Sequence, residues 1–170
     1  MALTGTYERT VDDKGRVAVP KQLRESFNSR NATGEQGATH LFVGPGNDQA
    51  LVLYAPEDFD KLAQRMDASS STRADVLKYE RFFFSRAEKV ELDGQGRIRI
   101  PERLAAFAKL QRDVMLLGVR DHAEIWDKGL WTEFDQQHSA RFDELSLAAF
   151  TLPGNLILPE SGVFCARARV

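Results

Sequence analysis

Apolar and polar positions alternate over short stretches of this chain, and the alternation stops at turns. From Gly5 to Val11 the strand-favouring Tyr7, Thr10 and Val11 sit among polar neighbours, which predicts a strand. Asp12 to Gly15 then make a turn, because the acids can accept from nearby backbone N–H groups and the glycine can take a positive φ. Val17 and Val19 alternate with Arg16 and Ala18, so a second strand follows with the valines on one face and Arg16 on the other. Pro20 ends that strand and is expected as the first residue of a short helix over Lys21 to Phe27, burying Leu23 and Phe27. Residues 28–37 are polar and turn-rich and read as a loop.

Leu41 to Val43 and Ala50 to Tyr54 predict two further strands, joined as a hairpin by the GPGND turn at Gly44 to Asp48. Pro56 opens a helix. Glu57 and Asp58 lie in its first turn, where the dipole favours acids, and Phe59, Leu62, Ala63 and Met66 recur as an apolar stripe. Residues 68–71 are a small-residue connector, and Thr72 with Asp75 resembles a capping pair for a helix running to about Ser85. Val76, Leu77, Tyr79, Phe82, Phe83 and Phe84 cover more than one face of that helix. We therefore expect it buried between the two repeats or against another subunit.

The opening pattern returns. VDDKGRVAVPKQL at Val11–Leu23 is answered by LDGQGRIRIPERL at Leu92–Leu104, which superposes Asp12 on Asp93, Gly15 on Gly96, Arg16 on Arg97 and Pro20 on Pro101. The second copy predicts a strand at Lys89–Leu92, a turn at Asp93–Gly96, a strand at Arg97–Ile100 and a helix from Pro101 burying Leu104 and Phe107. The correspondence continues past the motif. Val114–Leu117 answers the Leu41 strand, Gly118 answers Gly44, Trp126 answers Tyr54 and Trp131 answers Phe59. Beyond the duplication, Trp131, Phe134 and His138 continue a helix, Phe142 to Phe150 makes another, and the apolar segment Leu152–Pro159 is bounded by prolines. That segment is expected to pack against a subunit or to cover the chain itself.

Composition narrows the class. At 170 residues, 42% hydrophobic and 28% charged, the chain has the make-up of a globular protein. No apolar run reaches the about 18 residues of a membrane helix and no charged-then-apolar leader opens it, so a cytoplasmic protein is expected. The single cysteine, Cys165, agrees with a reducing compartment. A net charge of −2 argues at first against a nucleic-acid partner, but the charge is polarised. Arg9, Lys14, Arg16, Lys21 and Arg24 face two acids within Arg9–Arg24, whereas Asp121–Glu160 holds eight acids and only Lys128 and Arg141. A basic face can coexist with an acidic whole.

Little catalytic chemistry is legible. His40, His122 and His138 lie far apart without metal-ligand spacing, and there is no nucleophile elbow, phosphate loop or dinucleotide fingerprint. The chain is therefore expected to be no enzyme and to need no metal or cofactor. Asp12 with Arg16, and Asp93 with Arg97, admit two readings. Each aspartate can cap its turn and brace the arginine as a scaffold. Alternatively the turn aims the arginine outward, because a guanidinium fork matches both a phosphate and a guanine edge. Two copies of one loop, multiplied by oligomerisation, suit a regularly spaced polymer such as DNA.

Strand, DxxxGR turn, strand, proline and helix, duplicated in one chain, resembles the MraZ family over roughly Gly5 to Trp131. That resemblance implies an α+β fold of the AbrB-like swapped-hairpin kind: two domains wound into a pseudo-two-fold β-barrel unit with peripheral helices. Domain 1 would cover 5–56, a helical connector 57–86, domain 2 87–130 and a helical, apolar extension 131–170. It also implies a ring-shaped homo-oligomer bound to double-stranded DNA at short direct repeats, associated with the nucleoid and regulating, usually repressing, its own operon of division and cell-wall genes. The family's DxxxR element carries over to Asp12 and Arg16 and to Asp93 and Arg97. Charge alone adds Lys14, Lys21, Arg99 and Arg103 to the expected DNA-facing set. The second copy has Gly94 and Gln95 for Asp13 and Lys14 and nearly balanced surroundings, so the first is expected to bind harder. The alternative from another class is an assembly protein using the basic loops for protein contacts.

Overall fold

The computed structural model describes residues 2–29, 39–68, 74–152 and 155–156. The expected loop at 28–37 lies largely outside them, as do most of the 68–71 connector, Thr72 of the capping pair and most of the Leu152–Pro159 segment. In chain order, strands β1 (Thr6–Thr10) and β2 (Arg16–Ala18) flank the first turn and helix α1 (Lys21–Asn28) follows. A hairpin of β3 (His40–Pro45) and β4 (Leu51–Tyr54) leads into α2 (Pro56–Ala68) and α3 (Ala74–Phe84). The second repeat supplies β5 (Glu88–Glu91), β6 (Arg97–Arg99), α4 (Glu102–Phe107), β7 (Asp113–Val119) and β8 (His122–Asp127). Helices α5 (Lys128–Ser139) and α6 (Phe142–Phe150) precede the short strands β9 (Thr151–Leu152) and β10 (Asn155–Leu156).

The chain divides into two compact units, Met1–Trp131 and Thr132–Val170. Both repeats belong to the first. Its antiparallel sheet runs β1-β7-β8-β4-β3-β5, an order that maps onto itself when each strand is exchanged for its repeat partner. The first strand of each repeat thus pairs with the third strand of the other: Tyr7 sits opposite Leu116, and Val90 opposite Leu41. Neither repeat can complete its sheet alone. In the second unit β9 and β10 form a small antiparallel pair.

One face of the sheet presents Leu41, Val43, Leu51, Leu53, Val114, Leu116, Ala123 and Ile125 to the main core. Onto it close Val17 and Val19 from the first repeat, Ile98 and Ile100 from the second, and Leu23, Phe27 and Leu104 from the two short helices. Leu23 and Phe27 lie four residues apart on α1 and are both buried, as the helical period requires. Burying each such side chain stabilises the fold by about 1.5–3 kcal/mol. The opposite face carries a smaller aromatic cluster, where Phe42 stacks on Phe59 of α2 at 4.3 Å between ring centroids. The matched pairs Tyr54–Phe59 and Trp126–Trp131 stand at 6.4 and 5.6 Å, the same arrangement built twice.

Two expectations change. Pro20 and Pro101 are not the first helical residues. Each is the N-cap, with ψ of 142° and 135°, so the ring ends the strand in extended backbone and the helix begins one residue later. Helix α3 is also not enclosed between the two repeats: Phe83 is buried, but Leu77, Tyr79 and Phe82 are exposed. Its apolar residues spread around the helix, and the single sheet it packs on covers only one stripe.

Gly44 and Gly118, matched in the repeat, serve two different close approaches. A Cβ at Gly44 would meet the Phe83 ring at 3.2 Å, and one at Gly118 would press into the Leu3–Thr4 backbone, 2.7 Å from the Leu3 carbonyl carbon. There the fully buried Leu3 is tied down by reciprocal backbone bonds with Arg120 of 2.9 and 3.0 Å. Gly118→Ala is expected to lift this segment off β7 and to destabilise the protein by about 1–3 kcal/mol, read as a lower midpoint in urea at unchanged slope.

Candidate nucleic-acid interface

The two DxxxGR turns have nearly identical geometry. In the first, Asp12 Oδ1 accepts from the backbone N–H groups of Lys14 and Arg16, both at 2.9 Å. Oδ2 of the same carboxylate accepts from Arg16 Nε and Nη2, each at 2.7 Å. In the second, Asp93 Oδ1 takes the N–H groups of Gln95 and Arg97 at 2.9 and 3.0 Å, and Oδ2 takes Arg97 Nε at 2.8 Å. Each reversal closes on a glycine with φ of 72°, Gly15 or Gly96, a conformation that side chains disfavour. One acid therefore holds both the backbone turn and the arginine four residues on.

Strands β2 and β6 then pair with each other as a ribbon, with Val17 opposite Ile98. Both are fully buried, so the alternation of a strand turns Arg16, Ala18, Arg97 and Arg99 to the other face. Arg16 lies opposite Arg99, and Ala18 opposite Arg97. The ribbon is closed at its ends by reciprocal bonds of 2.9 Å, Val19 N–H to Gly96 O and Ile100 N–H to Gly15 O. Like charges facing each other across a ribbon are unfavourable. The two aspartates offset this by neutralising Arg16 and Arg97, while Arg99 and the Lys14 ammonium have no partner among the described residues.

These contacts shift the acids. The Arg16 guanidinium and backbone N–H hold the Asp12 carboxyl down to about 2, and the Arg97 backbone N–H followed by its guanidinium lower Asp93. A carboxylate whose folded pKa is depressed stabilises the fold above its unfolded pKa, near 4, and loses that contribution as pH falls through the folded value. The melting temperature should therefore drop between pH 4 and pH 2. The doubly substituted Asp12→Asn, Asp93→Asn protein should show a shallower drop in the same thermal scans.

Six of the eight expected site residues come together here: Asp12, Lys14, Arg16, Asp93, Arg97 and Arg99. Lys21 stands on α1, exposed, 3.6 Å from Glu25. Arg103 folds back on its own repeat, bonding Glu88 at 2.7 Å and the carbonyls of Ser85 and Arg86 at 3.3 and 3.2 Å. It lines an open groove of about 610 Å³ with Glu88, Glu91, Glu102, Lys89 and Arg99, where acids balance bases. Arg24 is a cation that the motif did not mark. Its Nε donates to the Val19 carbonyl at 3.1 Å, beside the second turn, so a charge counted with the first motif in sequence stands at the other end of the ribbon.

A family model described as "MraZ protein, putative antitoxin-like" matches residues 2–79 and 83–152, and so spans both repeats. A protein of Desulforamulus reducens named "Transcriptional regulator MraZ" is 34% identical over 142 residues, covering 84% of this chain and 93% of its own. Namesakes from Heliobacterium modesticaldum and Caldanaerobacter subterraneus subsp. tengcongensis are 35% and 33% identical, across 84% and 85% of this chain and 92% and 94% of theirs. With two copies of the DxxxGR turn folded alike and these matches over most of its length, the chain belongs to the MraZ family.

Proposed function

We propose that this chain is a transcription regulator that binds double-stranded DNA with the outer face of the β2–β6 ribbon and its two turns. The observation that carries this is the ribbon itself: an extended pair of strands with Arg16, Arg97 and Arg99 on one face and Val17 and Ile98 anchoring the other in the core. A two-stranded ribbon suits the major groove, where arginine reads guanine and phosphates alike. The relatives' printed name, transcriptional regulator, supports the same role.

Within this reading residues 5–56 and 87–130 are the two halves of one swapped-hairpin unit, linked through 57–86, and 131–170 is an extension outside it. The exchange of first strands between repeats supports that description. Ring assembly, direct repeats upstream of the chain's own operon, repression and residence at the nucleoid complete the proposal and follow from the family likeness. The chain acts by binding, without catalysis or cofactor.

The test is fluorescence anisotropy of the protein against a labelled duplex of its own upstream DNA and a scrambled duplex, across a salt series. Log affinity for the upstream duplex should fall linearly with log salt, by about 0.9 per phosphate neutralised, and the scrambled duplex should bind more weakly. Affinity that ignores both salt and sequence would point instead to basic loops serving protein assembly.

A further inference from the structure

Arg24 belongs to α1 and the first repeat, yet its guanidinium lies on the turn of the second. A Cβ built on Gly96 would stand 2.6 Å from Arg24 Cζ and Nη1 and 2.7 Å from Nε, so the planar group covers the glycine directly. Gly96 is buried by this contact, whereas Gly15 stays partly open, the nearest atom to its built Cβ being the Ile100 carbonyl at 3.7 Å. The repeats differ here for a plain reason. Superposing them places Ala105 where Arg24 stands, and alanine cannot reach the first turn.

The guanidinium is held but not neutralised. Its Nε is committed to the Val19 carbonyl, which fixes its plane, while Nη1 and Nη2 have no partner among the described residues. Arg16 and Arg97, by contrast, each give hydrogen bonds to a carboxylate. A guanidinium already oriented by one bond loses little rotamer freedom when its remaining N–H groups meet an oxyanion, and the fork matches a phosphate. Charge points the same way. The first turn has Lys14, with Arg99 opposite Arg16, while the second has Gln95 in place of the lysine and Ala18 opposite Arg97.

We propose that Arg24 is a phosphate-contacting residue of the second turn, an assignment that rests on the ribbon being the DNA interface. The backbone there is close to two-fold symmetric, but the free cations are not. Arg99 from a strand serves one end and Arg24 from a helix serves the other, so the face has a direction along the duplex. The second turn then has an unneutralised cation of its own, which charge counted along the chain assigns to the first.

The experiment is the salt series with the upstream duplex, run on the full chain with Arg24→Ala, Arg24→Lys and Ala105→Arg. Arg24→Ala should lower the slope of log affinity against log salt by about 1 per bound chain and weaken binding severalfold. Arg24→Lys, which keeps the charge and loses the Nε bond, should recover the slope with only part of the affinity. Ala105→Arg, which places a guanidinium near the open first turn, should raise the slope by about 1. If Arg24 merely braces the turn, both substitutions at 24 lower the melting temperature and leave the slope alone, which overturns the proposal. Should Arg24→Ala fail to fold, an unchanged slope in Ala105→Arg overturns it equally. A wild-type protein with no salt dependence refutes the DNA interface itself, a distinct outcome.

Discussion

Arg16→Ala is expected to weaken binding to the upstream duplex by tenfold or more while lowering the melting temperature only slightly, by the share of the Asp12 contribution that the partly exposed guanidinium supplies. The affinity loss has two sources. The variant removes a guanidinium whose Nη1 is still unengaged among the described residues, and it leaves the Asp12 carboxylate uncompensated on the same face. Losing a contact of this kind typically costs about tenfold, and an exposed anion beside the phosphate backbone adds repulsion. The fold should tolerate the change, because Asp12 Oδ1 keeps its bonds to the Lys14 and Arg16 backbone, which alanine supplies equally well. The double variant Asp12→Asn, Arg16→Ala should regain part of the affinity in the anisotropy assay, since asparagine can hold the turn without the charge. A single variant that binds as the wild type does would move the interface away from this turn.

Ile98→Ala should produce the largest loss of stability among single core changes at the ribbon. Ile98 is fully buried, sits opposite Val17 and belongs to the core that both repeats share. Truncation removes three methyl or methylene groups from a site whose neighbours come from both repeats and cannot all collapse inward. A cost of about 2–5 kcal/mol follows, corresponding to a melting temperature lower by roughly 10 °C for a chain of this size. The matched Val17→Ala should cost less, as the smaller side chain leaves the smaller cavity. Equal effects from the two, measured by calorimetry, would mean that the ribbon is not packed as a unit.

The local chemistry was readable along the chain. An aspartate followed by a glycine three residues on makes the same turn twice, and the period-two alternation places Val17 and Ile98 inside with Arg16 and Arg97 outside, all from interactions within five or six residues. The aromatic pairs Tyr54–Phe59 and Trp126–Trp131 were marked by the repeat for the same reason. The Pro20 and Pro101 positions were one residue off, because a proline that stops a strand and one that starts a helix look alike until ψ is known. At Asp12 and Arg16 the geometry carries an element of both readings, since the carboxylate braces the arginine and still leaves it on the outer face.

By itself, then, the sequence determined the elements, the duplicated turn and which side of each strand is buried, since these depend on near neighbours and on a periodicity that every strand carries. Only the tertiary structure decided which strands meet. Alternation names a face but not a partner, so the pairing of β1 with β7 and β5 with β3, which makes one unit of two repeats, had no local signal. The same holds for charge. Arg24 is counted with the first turn along the chain and stands over the second in space, because a helix carries its side chains away from the strand that precedes it.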